Sequence, residues 1–364
     1  MTDRVLVTGA CGFVGSHLIE HLLKSDARVI ATDLEEAKRT AYYVDRKDAD
    51  TKLPEPRYYG NLLDEMDVRF IPADITDLDS LERVFQYEYD TVFHTASLYD
   101  YFAGWDRLYK VNVEGARNMG EIAAENGVDH FIHWSTLGVC GSSDTKSQPL
   151  TEETGYAPHN RYGRSKMKQE QALFEISDRQ NLPVTVLRPA PIYGPRNRYG
   201  VYHLLYLYRK VGTGLVFPVY PRHHQPRFPS VHVSDVVRAA LFARDNPAQT
   251  RGEIYHVTSD PIRQDELVTF IARSLGLPVK RVPLPWPIYK RIAGRLVKLA
   301  ERLEQRARTN DKRPKFPASM AQYLESDFWF SNEKLKSAGF EYNYEDPKDG
   351  LWNYITWCKR RGML

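Results

Sequence analysis

The first twenty residues constrain the fold most. Val5-Leu6-Val7-Thr8 is an apolar, β-branched run that stops at Gly9-Ala10-Cys11-Gly12-Phe13-Val14-Gly15, and a helical period starts straight after, at Ser16-His17-Leu18-Ile19-Glu20. A strand, a tight loop and a helix N-terminus in one stretch bring free backbone N–H groups and the positive end of a helix dipole to one point, which suits a pyrophosphate. Gly9 lets the chain turn, Gly12 removes a Cβ where a phosphate must approach, and Gly15 lets the helix pack close to the strand. The spacing is Gly-x-x-Gly-x-x-Gly, and glycines this dense also mark other tight turns. Asp33 adds a second signal. It ends the apolar run Arg28-Val29-Ile30-Ala31-Thr32, eighteen residues beyond Gly15. A carboxylate there accepts hydrogen bonds from the adenosine ribose hydroxyls and repels a 2′-phosphate, favouring NAD over NADP. The plainer alternative is that Asp33 merely opens the next loop.

Further apolar runs follow at Val68–Ile71, Thr91–His94, Phe131–Trp134 and Leu182–Leu187, separated by helical segments, one of them spanning 105–126. Strands alternating with helices require parallel pairing and right-handed crossovers. The ligand crevice then lies beyond the carboxyl ends of the strands. Gly9 to Gly15, Asp33, Asp74 with Ile75, Thr95-Ala96-Ser97, and Ser135-Thr136 all fall at such ends. Asp74 can meet the exocyclic amine of adenine; alternatively Asp74 or Asp77 caps a helix starting near Leu78. The polar segment between Asp33 and Val68 reads as an exposed insertion. Beyond Arg188 the texture changes to a proline-rich loop, Pro189 to Asn197, and then to an aromatic helix over 199–210. A strand near Pro229 to Val233, a helix from Ser234 and a strand over Glu253 to Val257 return to the sheet. The expected architecture is a Rossmann-type, doubly wound parallel α/β sheet over 1–187 and 229–257. A smaller interleaved substrate domain, 188–228 and 258–364, covers the crevice.

The net charge of +3 is too small to argue for nucleic acid, and Lys312-Arg313-Pro314-Lys315 reads as a solvated turn. Cys11, Cys140 and Cys358 lie too far apart for a disulfide framework or a zinc site and fit a reducing cytosol, so a cytoplasmic location is expected. His223-His224 has no carboxylate or cysteine at metal-binding spacing, and no metal site is expected. Gly9 breaks the opening apolar run, so no signal peptide is expected, and no apolar stretch approaches the roughly 18 residues of a membrane span. Residues 284–308 form a basic amphipathic segment with Ile288, Ile292, Leu296, Leu299 and Leu303 on one stripe. The expectation is that this stripe packs on the substrate domain; the alternative is peripheral contact with an anionic membrane surface.

The reacting groups are read from Tyr162-Gly163-Arg164-Ser165-Lys166 with Thr136 upstream. Tyr162 and Lys166 are four residues apart and share a helix face. A phenol titrates near 10 and is a poor base at neutral pH, but an adjacent ammonium and an oxidised nicotinamide both stabilise the phenolate. Lys166 also reaches the nicotinamide ribose. Thr136 offers a hydroxyl to the substrate oxygen.

With these residues in order, the chain resembles the extended short-chain dehydrogenase/reductases of the NAD-dependent epimerase/dehydratase family. The resemblance rests on Thr8 to Gly15, Asp33, Asp74-Ile75, His94-Thr95-Ala96-Ser97, Asn112-Val113-Glu114-Gly115, Ser135-Thr136, Tyr162 to Lys166, Arg188-Pro189, Tyr193-Gly194-Pro195 and Val231-His232-Val233-Ser234-Asp235. It implies bound NAD and a catalytic set of Thr136, Tyr162 and Lys166. Cofactor contacts are expected at Gly9, Cys11, Gly12, Phe13, Val14, Gly15, Asp33, Asp74, Ile75, Thr95, Ala96, Ser97, Asn112, Tyr162, Lys166 and Pro189. Substrate contacts are expected at Ser97, Ser135, Thr136, Ile192, Tyr193 and Arg196. It also implies a homodimer through helices 105–126 and 160–178. Two departures stand out. Cys140-Gly141 replaces the Tyr-Gly of many relatives, and Phe228 stands where nucleotide-sugar epimerases carry an arginine, four residues before His232. The tail, with Phe330-Ser331-Asn332-Glu333-Lys334, is similar to the branch of 3β-hydroxysteroid and sterol-carboxylate dehydrogenases. The leading expectation is therefore an NAD-dependent oxidoreductase acting on a secondary alcohol or ketone of an apolar, ring-bearing, sterol-like molecule. The alternatives are a nucleotide-sugar epimerase or dehydratase with tightly bound NAD, and a non-catalytic NAD-binding protein.

Overall fold

The computed structural model describes residues 3–40, 63, 66, 68–143, 147–197, 199–211, 215–223, 226–309 and 318–364. Most of the expected 34–67 insertion, His224 and the Lys312 to Lys315 cluster lie outside the described residues.

Seven strands form one parallel sheet: β1 (Arg4–Thr8), β2 (Arg28–Asp33), β3 (Arg69–Pro72), β4 (Thr91–His94), β5 (His130–Trp134), β6 (Val184–Pro189) and β7 (Ile254–Val257). Their order is β7-β6-β5-β4-β1-β2-β3. This is the expected doubly wound Rossmann-type sheet. The central strands are buried on both faces, and their side chains divide by alternation. Val5, Val7, Phe93, Ile132 and Leu187 join α1 (Phe13–Leu22) on one face. Leu6, Val92, Phe131, Val184 and Val186 join α2 (Leu78–Val84), α3 (Gly115–Glu125) and α4 (Arg161–Gln180) on the other. Val236 and Val237 of α5 (Val233–Asp245) complete the first layer.

The direction of winding reverses between β1 and β4, which pair in register from Val5↔Thr91 to Thr8↔His94. The loops leaving these two strands therefore open side by side, which is where a doubly wound sheet binds its ligand. Thr8 ties them together: its carbonyl accepts from Thr95 Oγ1 (2.7 Å), and its hydroxyl accepts from the Ala96 amide (3.3 Å).

The helix expected over 105–126 does form as one unbroken run, with an α turn at Trp105–Leu108 passing through a π-helical turn at Tyr109–Glu114 into α3. The wider turn swings Asn112 inward. Two expectations are corrected. Phe330, Leu335 and Phe340, placed by sequence in the substrate domain, pack in the core of the sheet, where Phe330 bridges Leu150. A separate core does form from Tyr193, Tyr202, Leu205, Ile262, Ile271, Leu351 and Tyr354. Finally, helix α6 (Trp286–Thr309) leaves its expected packing stripe in solvent, because Tyr289, Ala293, Val297 and Ala300 face inward instead. No helix among the described residues is long and apolar enough to cross a membrane.

The core holds an unusual load of neutral histidines. Burial lowers His94 and His256 to about 3, and His130 and His232 to about 4, from the ordinary 6.5. Burial pushes His133 down as well, with Lys166 adding to it. The unfolded chain takes up protons as pH falls through 6.5 while the folded chain does not, so stability drops in that direction. Each histidine contributes a slope of up to about 1.4 kcal/mol per pH unit. Between about pH 6.5 and 5 the buried carboxyls Asp33, Glu152 and Asp235, raised by burial, act in the opposite sense, but the histidines named outnumber them. The urea midpoint is expected to fall steadily across this window; a flat midpoint would show that the histidines are hydrated.

Candidate active site

The loop after β1 is shaped by clashes that side chains would create. Gly9 has φ +65°, and a Cβ there would lie 2.7 Å from the Ala96 nitrogen. A Cβ on Gly15 would lie 2.2 Å from the Gly9 carbonyl oxygen, and one on Gly12 would lie 2.8 Å from the same atom. The loop closes by a Gly12 N–H bond to that oxygen at 2.8 Å. No side chain caps α1 at Gly12, so its first amides remain open toward an anion. This cradle fits a dinucleotide diphosphate. Cys11 is buried and contributes its backbone, whose amide donates to Asp33 Oδ2 at 2.9 Å. The Leu34 amide donates to Oδ1 at 2.8 Å. Burial raises the Asp33 carboxyl above its ordinary value, and these two bonds oppose the rise. The carboxylate is thus fixed at the end of β2, beside the glycine loop.

At the third strand end, Asp74 is exposed and its Oδ1 accepts from the Thr76 amide at 2.8 Å. Asp77 occupies the cap position of α2 without a side-chain cap bond, so neither aspartate caps that helix through its side chain. Ile75 packs against Gly115, where a Cβ would come within 2.7 Å. Phe13 and Val14 are half-buried at the start of α1, and Pro189 is buried at the end of β6.

The centre of the site is a chain of hydrogen bonds linking three elements. Ser97 Oγ donates to Asn112 Oδ1 (3.0 Å), and Asn112 Nδ2 donates to Ser165 Oγ (2.9 Å). Ser165 Oγ donates to the Tyr162 carbonyl (2.8 Å). Lys166 Nζ donates to the Trp134 carbonyl (2.6 Å) at the end of β5 and to Ser97 Oγ (3.3 Å). Asn112 was expected to touch cofactor, but it is fully buried with its amide bonded internally. It positions Ser97 and α4 instead.

Tyr162 lies in the first turn of α4, whose cap Asn160 accepts from the Gly163 amide at 2.8 Å. Gly163 sits against the Gly138 carbonyl, so this turn rests on the loop that carries Thr136. Thr136 is half-buried; its Oγ1 accepts from the Gly138 amide (3.2 Å) and keeps its own proton for donation. Tyr162 is 7% exposed. Burial, then Tyr99, holds its phenol well above the ordinary range. Lys166 is lowered by burial to about 7, with Glu170 opposing. In this form burial and Tyr99 set the phenol, while Lys166 Nζ is held by the Trp134 carbonyl and Ser97.

Two residues expected to touch substrate are engaged elsewhere in this structure. Tyr193 is 1% exposed and donates to the Pro347 carbonyl (3.1 Å) inside the second core. Arg196 grips both oxygens of Glu20 in α1 (2.6 and 2.7 Å), anchoring its loop to the helix behind the glycine turn. Ser135 is buried, its amide bonded to the Leu187 carbonyl, and Ile192 is half-buried. Cys140 is buried beside Arg188 and His256, and burial raises its thiol to about 11. Arg227 does not stand in for the missing arginine at Phe228, since it pairs with Asp327 and stacks 3.8 Å over the Trp329 ring.

Sequence reasoning missed the aromatic wall around Tyr162. Tyr99 and Tyr101 lie 5.2 and 5.1 Å from its ring, and Tyr199 lies 5.8 Å from Tyr99. Tyr323, which interacts electrostatically with Tyr101, packs 4.8 Å from Phe228 and 4.7 Å from Phe328. The run Tyr99-Asp100-Tyr101-Phe102 directly after the Thr95 to Ser97 strand end is the signal that pointed there.

The profile of the NAD dependent epimerase/dehydratase family matches residues 5–258, which span every element of the glycine loop and the Thr136, Tyr162 and Lys166 set. The chain belongs to this family. Over 291 residues it is 27% identical to N-acetyl-alpha-D-glucosaminyl-diphospho-ditrans,octacis-undecaprenol 4-epimerase of Escherichia coli O157:H7, covering 79% of this chain and 77% of that protein. It is 24% identical over 372 residues to the uncharacterized protein YbjS of Escherichia coli (strain K12), covering 99% of each. The crystal structure of UDP-glucose 4-epimerase with UDP-glucose from Thermotoga maritima superposes with a TM-score of 0.70 at 23% identity, covering 98% of this chain and 99% of that chain. The sterol-dehydrogenase branch is not shown by these relatives, and the characterized one among them by sequence is a sugar-diphosphate 4-epimerase.

Proposed function

We propose that this member of the epimerase/dehydratase family binds NAD on the Gly9 to Gly15 cradle and Asp33, and acts at one carbinol carbon of a sugar carried on a diphosphate. The observation that carries the reading is the placement of Tyr162 and Lys166 on one face of α4, with Lys166 fixed to the Trp134 carbonyl at the carboxyl end of β5. Bound NAD in its oxidised form supplies the electron-pair acceptor and a positive charge beside the phenol. Tyr162 takes the proton of the sugar hydroxyl, Thr136 donates to its oxygen, and Lys166 with Ser97 orients the ribose side of the crevice. Return of hydride to the opposite face of that carbon, with a proton to its oxygen, would give the epimer; elimination of water from the oxidised sugar, with hydride returned to the carbon that lost the hydroxyl, would give a deoxy-keto sugar. The relative that acts on a glucosaminyl diphosphate supports the substrate class.

The test is to incubate purified protein with UDP-glucose and UDP-N-acetylglucosamine and follow the sugar by NMR. A new epimer or deoxy-keto sugar, with no net NADH, is the expected result. A dehydrogenase acting on an apolar ring alcohol is the second reading, favoured by the aromatic wall and by the engagement of Arg227 with Asp327. Net NADH with a sterol alcohol and no change in either nucleotide sugar would establish it over the first.

A further inference from the structure

We propose that helix α6 docks this protein on an anionic lipid surface. Ile288, Ile292, Leu296, Leu299 and Leu303 are between 43% and 51% exposed. A surface helix ordinarily turns such residues inward. Here the inward seam is small: Val297 and Ala300 pack by Ala321, Ala293 is buried beside them on the same face, and Tyr289 donates to the Leu324 carbonyl at 2.9 Å. At about 100° per residue the five aliphatic side chains cover roughly 80° of the helix beside that seam. The other border of the stripe is Arg291, Arg295, Lys298 and Arg302, all exposed and all basic. Glu301 and Glu304 fall on the far side, where Glu304 accepts from the Ala318 amide at 3.0 Å.

The apolar surface continues beyond the helix. The short strand Val282–Leu284, which leads into α6, pairs in parallel with Val219–Pro221. Leu215, Phe217 and Val219 face outward in alternation, 43%, 53% and 45% exposed. An apolar stripe flanked by basic side chains matches the acyl boundary and headgroup layer of an anionic bilayer. A second copy fits less well, because antiparallel pairing through this stripe would set one basic flank against the other. On its inward side α6 holds the segment that carries Tyr323, through the Tyr289 bond to the Leu324 carbonyl.

The experiment is co-sedimentation of the full chain with phosphatidylcholine vesicles, with and without phosphatidylglycerol. It reads lipid binding alone and so stands apart from the catalytic reading. The protein should pellet with the anionic vesicles. Arg295→Gln should weaken this about fivefold, and Leu296→Glu with Leu299→Glu should weaken it at least about tenfold with an unchanged circular dichroism spectrum. Failure of the wild-type protein to pellet, or equal pelleting of the double variant, would overturn the proposal. So would a wild-type dimer that the double variant dissociates in the absence of lipid binding.

Discussion

Tyr162→Phe is expected to lower kcat by about 10³-fold while leaving NAD binding and the thermal midpoint unchanged. In the proposed mechanism the phenol oxygen is the group of α4 that exchanges a proton with the substrate hydroxyl. Its ring, packed against Tyr99 and Tyr101, is retained in phenylalanine. Because burial holds the phenol high, the proton transfer needs the charge of the oxidised cofactor beside it. Lys166→Met should behave differently. It removes the bonds to Trp134 and Ser97, and should lower kcat and weaken NAD binding together. Steady-state kinetics with fluorescence titration of the cofactor distinguish the two. A Tyr162→Phe variant with more than a tenth of wild-type activity would remove Tyr162 from the chemistry.

The second large effect concerns stability. Arg188, at the end of β6, is 2% exposed, and Glu170 of α4 is fully buried. Two bonds join them, Nε to Oε1 at 3.0 Å and Nη2 to Oε2 at 2.7 Å. Tyr156 donates a further bond to Glu170 Oε2 at 2.8 Å and lays its ring 5.3 Å from the Arg188 guanidinium. Glu170→Ala leaves that guanidinium buried without a counter-charge, and is expected to cost about 3–5 kcal/mol in urea unfolding. Arg188→Met combined with Glu170→Met should recover much of the loss, because apolar groups of similar volume carry no desolvation penalty. A loss below about 1 kcal/mol for Glu170→Ala would mean that water reaches the pair. This strut lies one turn beyond Lys166, so its failure should also disturb the site.

What the sequence determined by itself is the strand-loop-helix opening, the alternation that makes a parallel sheet, and the order of chemistry along the strand ends. These follow from local rules: glycine where a Cβ has no room, apolar residues at a helical or strand period, and a carboxylate at a strand end. The packed chain decided the rest. Asn112 turned out to position its neighbours because a π-helical turn, invisible in the apolar period, rotates it toward Ser165. Lys166 is held by a carbonyl from β5, thirty-two residues away in the chain. The wall around Tyr162 combines Tyr99, Tyr199 and Tyr323, and the outward stripe of α6 exists because small residues beside it fit the core better. Each of these depends on which distant groups meet in space, and a chain's local periodicities carry no record of that.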